Sequence, residues 1–68
     1  MVKLPPALHH GRYYALTYDR LDGVLILEEN GAQIMRMTGN QAYGYIRKLE
    51  QENAYDVIVE LVDDIDVK

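Results

Sequence analysis

His9 and His10 are the chain's two histidines and the first residues to test for chemistry. Neighbours in an extended segment point to opposite sides, so the pair is not built to chelate one metal ion. A metal site would need carboxylates from elsewhere, such as Asp19 or Asp22. The sequence predicts no metal centre and reads both histidines as solvated. Asp63, Asp64 and Asp66 form a second cluster. They lack the spacing and the glycine of a calcium loop. They read as a self-repelling acidic end, available to a basic partner.

Nucleophilic chemistry has little to work with. The chain has no Ser and no Cys, and Thr17 and Thr38 are its aliphatic hydroxyls. Thr17 reads as a strand residue and Thr38 as a helix cap. Gly11, Gly23, Gly31, Gly39 and Gly44 are spread out and form no phosphate-binding loop. Acid–base chemistry needs a pocket that shifts pKa values, and a chain this small rarely builds one alone. The expectation is a non-enzyme with no cofactor.

Nucleic-acid binding has one foothold. Arg12, Arg20, Arg36, Arg47 and Lys48, with Tyr13, Tyr14 and Tyr43, supply the residue types of a stacking surface. The charges are scattered, however, and 11 acidic against 7 basic residues give a net charge of −4. Phosphate contacts need the opposite sign. The converse role is an acidic mimic that blocks a nucleic-acid-binding protein. Glu28, Glu29, Asp56, Glu60, Asp63, Asp64 and Asp66 would supply its carboxylates.

The elements that must position these groups fit one small domain. At 68 residues a chain buries only about 60% of its surface and is marginal without staples. It has no cysteine for disulfides. A partner chain is therefore expected. Six Tyr with no Phe and no Trp suit rims and interfaces, since each ring carries a polar tip. No apolar run approaches the ~20 residues of a membrane span, and the first residues lack the apolar stretch of a secretory signal. A cytoplasmic location without membrane contact is expected.

Residues 1–11 read as a flexible or extended arm, interrupted by Pro5 and Pro6. Residues 12–18 and 24–29 read as strands, separated by a turn ending in Asp22-Gly23. Asn30-Gly31 predicts a type I′ hairpin into a strand over 32–37, because both central residues need positive φ. The simple register pairs Glu29 with Ala32, Leu27 with Ile34 and Leu25 with Arg36. Thr38 and Gln41 have the capping-box spacing for a helix over 39–53. Ala42, Tyr45, Ile46 and Leu49 form its apolar stripe. Gly44 faces away from that stripe, with no packing reason evident. Residues 55–62 alternate and read as a strong final strand, and 63–68 as an acidic tail.

The expected fold class is α+β: a three-stranded antiparallel meander, one α-helix, then a fourth strand, with the helix on one face of the sheet. This order resembles half of a ribonuclease H-like fold, a likeness of topology from which no site residues carry over. The domain spans 12–62. Its uncovered sheet face would still carry apolar residues, so a homodimer built on that face or on the last strand is expected, with a protein partner of other identity binding the module. The expected function is protein binding, as an adaptor, inhibitor or regulatory subunit. Tyr13, Tyr43, Tyr55, Asp63, Asp64 and Asp66 are the candidate contacts. Acidic mimicry and binding of RNA or single-stranded DNA stay open as alternatives.

Overall fold

A computed structural model describes residues 1–66, the last by its backbone alone. The order is β1 (Val2–Lys3), β2 (Ala7–His9), β3 (Arg12–Asp19), β4 (Val24–Glu29), β5 (Ala32–Thr38), α1 (Gly39–Gln51) and α2 (Ala54–Asp66). All strand pairs are antiparallel. The sheet runs β1-β3-β4-β5, with β2 also on β3. The fold is α+β, with five strands and two helices.

Turn chemistry sets the hairpins. Asn30 and Gly31 have φ of 51° and 87°, as a type I′ turn requires. The β2–β3 hairpin repeats this geometry at His10 and Gly11, with φ of 51° and 76°. Val2–Lys3 and Ala7–His9 are therefore strands paired with β3, and His10 and Gly11 form the turn. Pro5 and Pro6 have no backbone N–H to give, and the register slips by one across them: Lys3 faces Thr17, whereas Ala7 faces Tyr14.

The β4–β5 register departs from the simple one. Glu29 does face Ala32, but a bulge follows, so Leu27 faces Met35 and Leu25 faces Met37. The reason lies in the core. Leu25 and Leu27 are buried, and an unbulged β5 would aim Arg36 at the same interior. One extra residue, Ile34, sends Arg36 to the open side and brings Met37 inward.

Tyr14, Leu16, Leu25, Leu27 and Met37 supply the sheet's share of the core. Ala42 and Ile46 of α1 cover it, with Tyr45 and Leu49 half-buried beside them. Thr38 occupies the cap position of α1 but makes no side-chain cap hydrogen bond, so the capping box is not formed. α1 ends at Gln51, and Glu52 N–H donates to Lys48 O.

The expected last strand is instead α2. Asn53 Oδ1 accepts from Asp56 N at 2.9 Å, which caps the helix, and Asp56 complements the positive N-terminal dipole. Val57, Ile58, Leu61 and Val62 are all buried, and this spacing is helical. Asp63 and Asp64 continue the helix rather than trail from it. With a helix where the fourth strand was expected, and no strand after α1 among the described residues, the topological likeness to half of a ribonuclease H-like fold does not hold.

Gly23 locks the β3–β4 connection to α1. Its φ is +68°, and a Cβ there would lie 2.6 Å from the Tyr43 ring. Gly39 N also donates to Gly23 O at 3.0 Å. A Cβ on Gly44 meets nothing within 4 Å. Gly23→Ala should cost about 2 kcal/mol or more from backbone strain and overlap. Gly44→Ala should add roughly 0.5–1 kcal/mol from helix propensity. Urea unfolding of the two variants checks both signs.

Candidate functional site

Both helices lie on one face. α1 packs on β4 and β5, while α2 packs on β3. Among the described residues the other face has no helix over it. It presents Tyr13, Ala15 and Thr17 from β3, Ile26 and Glu28 from β4, and Arg36 from β5. None of these is fully buried, and Tyr13 is 57% exposed. The face is less apolar than the sequence suggested, because residues 57–62 lie in a helix and not in the sheet. Ile26 is its aliphatic centre, flanked by long charged side chains.

A recess of about 440 Å³ opens on this face, lined by Lys3, Pro6, Tyr13, Ala15, Glu28, Asn30 and Gly31. Its origin is local. The small side chain of Ala15 faces the break at Pro5 and Pro6, so neither side fills the space. Asn30 Oδ1 accepts from Tyr13 N at 3.2 Å, and Asn30 N donates to Tyr13 O at 2.8 Å. These bonds hold the hairpin tip as one wall. The recess can receive an apolar side chain between an ammonium and a carboxylate.

The two sheet edges differ. One is formed by β1 and β2, which are short and interrupted by proline. The other is β5, seven residues without proline. Among the described residues, β5 pairs only with β4. Its outer backbone groups therefore have no sheet partner. Ile34, at the bulge, is 41% exposed beside them. Sequence reasoning missed Ile34 as a surface feature and set Arg36 opposite Leu25. The signal was present: a register that opposes Leu25 with Arg36 conflicts with an apolar core.

The expected contact residues fall in separate places. Tyr13 stands on the open face. Tyr43 lies on α1, where its ring covers Gly23 and its hydroxyl donates to Leu21 O at 3.2 Å. Tyr55 lies on α2 with its hydroxyl 3.2 Å from His9 Nδ1. Asp63 and Asp64 are exposed on α2. Asp66 closes that helix, and its side chain lies outside the described residues. Tyr43 and Tyr55 thus also serve intramolecular contacts.

His9 is not solvated as expected. It is half-buried between Tyr14, Tyr55 and His10, with the His10 ring centroid 4.1 Å away. Its Nε2 is buried without a hydrogen-bond partner. The residue ties β2 to α2. Among the described residues no group of three His, Asp or Glu side chains is placed to hold a metal ion. No helix is long and apolar enough to cross a membrane.

Lys48 joins the two helices. Its Nζ donates to both Glu60 carboxylate oxygens, at 2.9 and 3.0 Å. That hydrogen bond, more than the charge of Glu60, raises the Lys48 pKa above its ordinary value. Arg20 makes the corresponding exposed pair with Glu50 at 3.0 Å, between the β3–β4 connection and α1.

No family model matches the chain, and no curated protein or solved structure matches it either.

The Lys48 pair has a defined pH signature. A raised lysine pKa means that the pair's contribution is present below the unfolded value and is lost as pH rises through the folded one. The loss therefore falls in the alkaline range, above about pH 10. Glu60→Gln should return the Lys48 titration toward its ordinary value, read by NMR of the Nζ resonance.

Proposed function

We propose that this chain is a non-enzymatic protein-binding module that receives an extended segment of a partner protein along β5. It would act as an adaptor, inhibitor or regulatory subunit. The observation that carries this reading is the free edge of β5. Unpaired strand N–H and C=O groups are a template for a further strand. Here the opposite edge is broken by Pro5 and Pro6, so β5, seven residues without proline and with one bulge at Ile34, is the longer rail. Main-chain bonds along it would supply affinity. Side chains alternating to the open side would meet Arg36, while Ile34 offers an aliphatic contact at the bulge. The net charge of −4 lies mostly elsewhere, with Asp56, Glu60, Asp63 and Asp64 along α2. Charges remote from the docking edge would mainly affect association rates.

A displayed library of linear peptides, selected on the intact chain, provides the probe. Amide exchange of the complex should show added protection within 32–38. Ile34→Lys should weaken the selected peptides about tenfold or more, while changing stability by less than about 0.5 kcal/mol as an exposed substitution. Selected peptides that leave β5 exchange unchanged, and protect the open face or α2 instead, would overturn edge pairing.

A further inference from the structure

We infer that residues 1–9 exchange between two copies of this chain, each segment lying along β3 of the other copy. The inference concerns the opposite edge of the sheet and is independent of docking at β5. The segment is held on one rail. β1 and β2 both pair with β3, and Leu4 N donates to Leu16 O at 2.9 Å. Leu4 and Ala7 pack against the core, and His9 meets Tyr55. Every one of these contacts can be made equally by the same segment of a second copy.

The covalent link is what distinguishes the two arrangements. It consists of His10 and Gly11, both at positive φ. Asn30 holds the same position in the β4–β5 turn at the same φ of 51°, but its side chain accepts a hydrogen bond from Tyr13 N. Among the described residues His10 shows no such bond, and its ring only contacts His9 edge-on. A left-handed conformation is costly for a residue with a Cβ unless something compensates it. Opening the link releases that cost and leaves the strand contacts to be re-formed in the other copy. Short, strained hinges favour such exchange. Pro5 and Pro6 also keep the detached segment extended, so less chain entropy is lost when it docks again.

The chain contains no cysteine, so introduced pairs report cleanly. Leu8 and Tyr13 are direct cross-strand partners and both are exposed. A mixture of isotopically labelled and unlabelled Leu8→Cys/Tyr13→Cys chains, equilibrated near 1 mM and then oxidised, should yield disulfides joining position 8 of one isotope to position 13 of the other. Val24→Cys/Thr38→Cys, a pair across β4 and β5, should link only within one chain. His10→Pro, which cannot adopt positive φ, should raise the interchain yield about tenfold at fixed concentration. His10→Gly should lower it several-fold. Links confined to single chains at every concentration would overturn exchange. If His10→Pro does not fold, equal interchain yields from His10→Gly and the parent pair would overturn it as well. Ile34→Lys should leave these yields unchanged, which separates this result from failure of docking at β5.

Discussion

Leu16, Leu25 and Leu27 form one continuous apolar band across the two central strands, and that band has to be roofed. The helices do this together. Ile46 from α1 and Val57, Ile58 and Leu61 from α2 are each 2% exposed or less and belong to the same cluster. Neither helix spans the band alone: α1 sits toward β5, and α2 toward β3. Burial of a large aliphatic side chain is worth roughly 1.5–3 kcal/mol, so loss of either helix would expose several such groups in a chain with little stability to spare. Placing both helices on one side leaves the other side of the sheet open.

The bulge at Ile34 is the sheet's adjustment to that requirement. A side-chain period of two is unforgiving, since a slip of one residue exchanges the two faces of a strand. The tight Asn30-Gly31 turn would carry Arg36 to the inner face. The bulge reverses the assignment for the rest of β5, so Met35 and Met37 reach the core and Arg36 the open face. The same irregularity leaves Ile34 exposed beside a free strand edge. A core constraint thus shapes the surface proposed to bind.

The edges show a related economy. β3 is flanked on one side by β4 and on the other by two short strands from the start of the chain. Pro5 and Pro6 interrupt that cover opposite Ala15, which creates the recess on the open face. His9 then ties the cover to α2 through Tyr55. Sheet edges are protected by pairing, by proline or by charge, and this chain uses all three unevenly. The first two act at β1 and β2. β5 has Arg36 and a bulge, and among the described residues its outer backbone groups have no sheet partner.

The sequence by itself determined the meander, the Asn30-Gly31 turn and α1 with its Ala42, Tyr45, Ile46 and Leu49 stripe. Those features rest on local rules, where turn φ and helical spacing are written in neighbouring residues. Residues 55–62 were ambiguous because Val57, Ile58, Leu61 and Val62 fit a helix while Tyr55, Val57, Val59 and Leu61 fit a strand. The Asn53 cap was the local clue, and burial of these residues in the core cluster over β3 decided it. The conflict of Arg36 opposite Leu25 hinted at the bulge, but tertiary structure alone decided the pairing of Val2–Lys3 and Ala7–His9 with β3 and the side of the sheet left open. Each depends on which faces meet across distant segments, and no local window contains that information.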